Sequence, residues 1–123
     1  MTVQELYTSI GGNYNAAKSI LQMDKLIGKF ILKFLDEKSY ERLAAAWEKR
    51  DAEGVFEASH ALKGVCANLG LDELSRRASD ISEEFRPTHG RAMDDAEVGR
   101  LMDELDGVYQ RTVEGIRAFA AEQ

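Results

Sequence analysis

An all-α fold is the class that this sequence predicts, and two features of the chain indicate it. Apolar residues recur at spacings of three and four along most of the 123 residues, and no alternating run typical of a strand occurs. The only proline lies in the most loop-like stretch, RPTHGRAMDD. We therefore expect a single domain: an antiparallel four-helix bundle in residues 23–121, preceded by an accessory region, residues 1–22, with one or two short helices.

The accessory region carries local signals for where its helices begin and end. Thr2 and Glu5 have the spacing of a capping box, which predicts a short first helix. The Gly11-Gly12 pair is suited to end that helix. Asn13 is placed to cap a further turn or two.

The bundle helices are predicted from their caps and apolar stripes. Four polar residues are placed to begin or cap successive helices: Asp24, Ser39, Asp51 and Asp72. Gly70 is suited to end the helix that Asp51 caps, and Pro87 halts the next one. The first of these helices has an apolar stripe made of Leu26, Ile27, Phe30, Ile31, Phe34 and Leu35. A long final helix follows the loop, with Val98, Leu101, Leu105, Val108, Thr112, Ile116 and Phe119 on one face.

Charge and composition disfavour several function classes. A formal net charge of −6, from 16 basic and 22 acidic residues, disfavours a nucleic-acid surface, which needs a basic stripe. No apolar run reaches the roughly 18 residues that a membrane span needs. The chain opens without a basic and apolar leader, and its single cysteine, Cys66, cannot form an intrachain disulfide. We therefore expect a cytoplasmic monomer that binds neither nucleic acid nor membrane, with Cys66 as a buried small hydrophobe.

The stretch SHALKGVCANLGL, residues 59–71, turns a histidine away from the core. At 100° per residue, the core-facing residues of this helix cluster around Leu62: Val55, Ala58, Ser59, Val65, Cys66 and Leu69. His60 lies about 160° from Leu62, on the solvent side, with Lys63 one turn further on. Its neighbours on this outer face are small or apolar: Phe56, Gly64 and Ala67. A mid-helix glycine costs about 1 kcal/mol relative to alanine, so Gly64 indicates a surface kept clear for a docking partner.

HALKG followed by VCANLG resembles the signature of the histidine-containing phosphotransfer (HPt) domain family. The resemblance extends from the Gly11-Gly12 turn to the helix that ends near Phe85. It implies a four-helix bundle that carries a phosphoryl group between histidine kinases and receiver domains. By this resemblance His60 is the phosphoacceptor, Lys63 offsets the phosphoryl charge, and Gly64 provides clearance for docking.

The resemblance also implies partners and the absence of a cofactor on this chain. The expected partners are a response-regulator receiver domain and a sensor or hybrid histidine kinase. Mg²⁺ is expected on the receiver, so we expect no cofactor and no metal site here. Three residues are expected to contact the receiver, together with part of the neighbouring helix: Phe56, Ala67 and Asn68.

One position departs from the family pattern. In many members a glutamine or glutamate on the following helix forms a hydrogen bond with the second nitrogen of the histidine ring. That neighbourhood here offers three candidates: Ser79, Ser82 and Glu83. Ser82 is the best match by spacing, but its side chain is short. What orients the ring of His60 is therefore left open by the sequence.

Two other interpretations compete with a phosphocarrier. A helical interaction module could bind or inhibit a kinase or receiver without carrying phosphate, but it would have little reason to retain His60 beside Lys63 and Gly64. A purely structural bundle leaves Gly64 unexplained. Enzyme classes lack support because the chain has no glycine-rich phosphate loop, no nucleophile elbow and no ATP-binding domain, so we do not expect kinase activity. Two histidines on separate segments, His60 and His89, make a poor zinc site.

Overall fold

A computed structural model describes all 123 residues, and its regular secondary structure is entirely helical. The helices are α1 (Val3–Ile10), α2 (Tyr14–Leu21), α3 (Asp24–Lys33), α4 (Ser39–Glu48), α5 (Ala52–Asn68), α6 (Asp72–Glu84) and α7 (Asp95–Ala121), with a short 3₁₀ turn at Phe34–Asp36 after α3. The all-α prediction is confirmed. None of the helices combines the length and the apolar character needed to span a membrane.

Four helices form the bundle, α4 to α7, with α5 packed between α4 and α6 and with α7 against α6. The sequence places α3 within the bundle, but it packs against α1, α2 and α7 instead. Aromatic side chains join α4 to the remaining helices. Tyr40 on α4 stacks on Tyr109 of α7 at a centroid distance of 3.9 Å, and its hydroxyl donates to Asp106. Trp47, near the other end of α4, packs edge-on against Phe85 at 6.2 Å. The four helices share one apolar core, to which α1, α2 and α3 also contribute buried side chains.

The core face of α5 is the one that the helical wheel predicts, except that Val65 is only half-buried. Val55, Leu62 and Cys66 are fully buried, and Ser59 lies beside them with its hydroxyl donating to the carbonyl of Val55 at 2.7 Å. Burial raises the pKa of the Cys66 thiol to about 12. Cys66 is therefore a neutral, unreactive packing residue.

The accessory region is attached to the bundle at the turn between α5 and α6. The buried hydroxyl of Tyr7 donates to the carbonyl of Leu69 at 2.6 Å. The Asn13 N–H donates to the carbonyl of Gly70 at 2.8 Å, and its side-chain amide donates to Asp72 at 2.8 Å. The end of the helix that carries His60 is therefore held by the first two helices.

One predicted cap is wrong. Ser39 was expected to cap α4, but Lys38 occupies the cap position and Ser39 is the first helical residue. The hydroxyl of Ser39 donates backwards to the carboxylate of Glu37 at 2.6 Å, and its backbone N–H donates to the same carboxylate at 3.0 Å. Since the hydroxyl and the N–H of Ser39 both donate to Glu37, the serine does not cap the helix.

The loop between α6 and α7 is organised by a buried carboxylate, Glu84. Its side chain is 4% exposed and accepts hydrogen bonds from Arg91 Nε at 2.8 Å and from the backbone N–H groups of Ala92 and Met93 at 3.1 and 2.8 Å. The guanidinium of Arg91 also lies over the ring of Phe85. Burial raises the pKa of Glu84, but the hydrogen bonds from Arg91, Met93 and Ala92 together lower it further, and the net pKa is below its usual value.

Replacing Glu84 with glutamine is expected to lower the free energy of unfolding near neutral pH by about 1–3 kcal/mol, because Arg91, Ala92 and Met93 lose the charged acceptor that the buried carboxylate provides. Since the folded-state pKa of Glu84 is depressed, its contribution is present above the unfolded carboxyl pKa and is lost as the pH falls through the folded value. When the free energy of unfolding is measured with urea as the pH is lowered, it should therefore fall less in Glu84→Gln than in the wild type. Glu114→Gln, at an exposed position on α7, is the control. Equal stability of Glu84→Gln and the wild type near neutral pH would contradict the assignment.

Candidate functional site

Helix α5 presents His60 on the side opposite its core residues. The helix begins where the Gly54 N–H donates to the carboxylate of Asp51 at 3.1 Å, and it ends before Gly70, whose φ is +69°. Between these ends, the burial of Val55 and Leu62 orients the helix. His60 is exposed to solvent as a result.

The surface beside the imidazole is open at Gly64. Gly64 is exposed, and a Cβ atom built on it would meet nothing within 4 Å. Neither close packing nor an unusual backbone conformation therefore requires glycine at this position. The open space lies one helical turn beyond His60, on the same outer face.

Lys63 lies half-buried at the edge of this face. Its backbone carbonyl accepts a hydrogen bond from the hydroxyl of Ser75 on α6 at 3.0 Å, and its ammonium group forms no ion pair. Glu83 is engaged with Arg86 at 2.5 Å, and Lys63 contributes only a weaker attraction that helps to lower the pKa of Glu83. The ammonium of Lys63 therefore remains available to an incoming anion.

The structure places the three expected receiver-contacting residues differently. Ala67 and Asn68 are exposed on the last turn of α5, beyond Gly64. Phe56 is half-buried, and its ring stacks on the imidazole of His60 at a centroid distance of 5.6 Å and an interplanar angle of 22°. Phe56 therefore contacts His60 directly, and only part of its side chain belongs to the open surface.

None of the three candidates on α6 forms a hydrogen bond with His60. Ser82 is fully buried, and its hydroxyl has no hydrogen-bond partner. Glu83 is exposed and accepts two hydrogen bonds from Arg86. Ser79 is half-buried on the preceding turn. The family's hydrogen bond from the following helix to the imidazole is therefore not present in this structure.

Sequence reasoning missed an apolar groove that continues this surface. The groove has a volume of about 380 Å³ and lies between α2, α3 and the C-terminal half of α5; its apolar lining includes Ile20, Leu21, Phe30, Val65 and Leu69. Ile20 and Phe30 are 50% and 38% exposed, and Asn68 joins the groove to the face that carries His60. Phe30 lies on the apolar stripe that the periodicity predicts for α3, and only the packing of α3 shows that its ring is partly exposed, with the Lys33 ammonium over it.

No group of three or more His, Cys, Asp or Glu side chains is placed to hold a metal ion. Neither histidine belongs to such a cluster. The outer face of α5 offers the imidazole of His60, the ammonium group of Lys63 and the open surface at Gly64. These groups can accept and stabilise an anionic group from a docked partner.

Comparison with known proteins identifies the family. A family model described as Hpt domain matches residues 35–114, well over half of the chain, and this range includes α4, α5, α6 and most of α7. No curated protein and no solved structure matches the chain at a significant level. Hpt domains are phosphotransfer modules of two-component signalling, phosphocarriers rather than kinases, and they interact with receiver domains and histidine kinases. With its helical bundle and this match, the chain belongs to the Hpt-domain family.

Proposed function

We propose that this protein is a phosphorelay carrier that accepts a phosphoryl group on His60 and passes it to and from the aspartate of a receiver domain. The observation that carries the proposal is the exposed imidazole of His60 beside the open space at Gly64. A receiver has to bring its phosphorylated aspartate to the ring, and a side chain at position 64 would stand in its way.

The chemistry requires a nucleophilic nitrogen and a means of offsetting charge. A neutral imidazole nitrogen forms the N–P bond as the P–O bond to the receiver carboxylate breaks, and the ring gives up its N–H proton to solvent. The unpaired ammonium of Lys63 offsets the charge of the phosphoryl group. The rest of the rate enhancement comes from holding the imidazole and the phosphoryl group in line for transfer. In this proposal Mg²⁺ belongs to the receiver and no cofactor resides on this chain.

The docking surface would combine the face of α5 with the apolar groove. Ala67 and Asn68 extend the face beyond Gly64, and Asn68 leads into the groove where Ile20 and Phe30 are exposed. Kinase-borne and response-regulator receivers would use the same surface, because each has to reach one imidazole. We therefore expect donor and acceptor to compete for binding.

The proposal is tested by mixing the full chain with a phosphorylated receiver domain from the same organism. Appearance of an acid-labile, alkali-stable phosphoryl group on the chain, matched by its loss from the receiver, is the expected result. Binding without labelling across several receivers would overturn the proposal in favour of a module that inhibits or sequesters its partners.

Replacing Gly64 with alanine is expected to raise the free energy of unfolding by up to about 1 kcal/mol, because the helix gains propensity and the added Cβ meets no atom. The same change should raise the receiver concentration needed for half-maximal transfer, and Gly64→Gln should raise it further. Gly99→Ala is the matched control, since Gly99 is also helical and its Cβ would also meet nothing within 4 Å. Gly99→Ala should stabilise the fold without affecting transfer. Normal half-saturation in Gly64→Gln would contradict the docking role.

A further inference from the structure

We propose that Phe56 is a positioning residue for His60: its ring orients the imidazole for phosphoryl transfer by stacking on it. This inference rests on the proposed function, since it assigns a role in the reaction at His60. It differs from a docking role because Phe56 acts through the histidine and need not touch the partner.

The geometry supports an oriented pair. The ring centroids are 5.6 Å apart and the planes differ by 22°, within the range of offset-stacked aromatic pairs. Residues four apart on a helix lie one above the other, so the backbone of α5 itself places the two rings together. Phe56 is in turn held by packing against the core, and it therefore offers the imidazole a fixed surface.

No polar side chain competes for this role. The hydroxyl of Ser82 is buried without any partner, and Glu83 is engaged with Arg86. The hydroxyl of Ser75 is also committed, since it donates to the carbonyl of Lys63. An exposed histidine without hydrogen bonds would otherwise sample several rotamers. The flat ring of Phe56 is thus the contact that restricts the plane of the imidazole.

A stack suits the reaction because it covers a face of the imidazole and leaves its edge open. The lone pair that forms the N–P bond lies in the ring plane, so the orientation of the plane decides whether the nitrogen points at phosphorus. Holding that plane raises the fraction of encounters with the aligned geometry that displacement requires. The bond to the leaving group then breaks with its electron pair, and the ring N–H proton passes to solvent.

The test measures labelling of the full chain by two donors, phosphoramidate as a small probe and a phosphorylated receiver. With phosphoramidate the P–N bond breaks, the N–P bond to the ring forms, and ammonia leaves. We expect Phe56→Leu and Phe56→Met to slow labelling about 3- to 10-fold with phosphoramidate and at saturating receiver, with unchanged half-saturation. Phe56→Tyr keeps the flat ring and is expected to retain the wild-type rate. In the NMR spectrum, the ring protons of His60 should show a ring-current shift that persists in Phe56→Tyr and is lost in the other two variants.

Each other outcome identifies what is wrong. Wild-type rates in both Phe56→Leu and Phe56→Met would overturn the positioning role. A raised half-saturation with unchanged phosphoramidate and saturating rates would also overturn it, because Phe56 would then be only a docking contact. If the wild type is not labelled by either donor, the proposed function fails and this inference fails with it. If phosphoramidate labels the wild type and Phe56→Tyr at the same rate but labels Phe56→Leu and Phe56→Met more slowly, the positioning role is supported whichever receiver is the partner.

Discussion

Replacing His60 with glutamine is expected to abolish phosphoryl labelling by a phosphorylated receiver while leaving the fold intact. The side chain of His60 is exposed, and its one directional contact is the stack on Phe56. A substitution at such a surface position changes the free energy of unfolding by no more than about 0.5 kcal/mol. An amide has no nucleophilic ring nitrogen, so labelling should fall to background. The measurement is the acid-labile, alkali-stable label, with circular dichroism to verify the fold.

His89→Gln is the matched control because the chain contains only two histidines. His89 is exposed in the loop after Pro87, on a different segment from His60. The His89 variant should be labelled as fast as the wild type. Label that survives in His60→Gln, or disappears in His89→Gln, would show that the phosphoacceptor has been assigned to the wrong residue.

Replacing Gly70 with alanine is expected to cost about 3 kcal/mol of the free energy of unfolding, the largest stability effect that we predict. Two costs combine at this position. Gly70 has a φ of +69°, which strains any residue with a Cβ, and a Cβ there would lie 2.3 Å from the carbonyl oxygen of Asn13. The atom that the Cβ would contact belongs to the backbone, so no side-chain rotation can remove the clash. The α1–α2 connection would have to move away from the α5–α6 turn. Guanidinium unfolding measures the loss.

Gly11→Ala separates the two costs. Gly11 has nearly the same φ, +68°, but a Cβ built there meets nothing within 4 Å. It should therefore show the conformational strain alone, about 1 kcal/mol. Equal losses in the two variants would show that the contact with Asn13 contributes nothing. The rate of labelling by phosphoramidate per folded molecule should be unchanged in Gly70→Ala, because this small donor needs no docking surface and His60 lies more than two turns away along α5.

The signals that predicted the fold are those that act within a few residues. The capping box of Thr2 and Glu5, and the caps at Asn13 and Asp51, are all present, because a cap needs only its own helix. Ser39 is the exception, since its N–H and its hydroxyl both donate to the carboxylate of the neighbouring Glu37. The side of α5 on which His60 lies was predictable for the same reason, because helical periodicity assigns every residue a direction relative to the buried stripe.

By itself the sequence determined the all-helical class, the family signature around His60 and the direction of the imidazole away from the core. Tertiary structure decided which apolar side chains are covered, and it left Ile20 and Phe30 exposed beside Asn68. It also decided that Ser82 is buried without a partner and that Phe56 is the side chain lying against the imidazole. The physical reason is that periodicity specifies a direction from the helix axis, whereas burial and contact depend on which distant segment packs there.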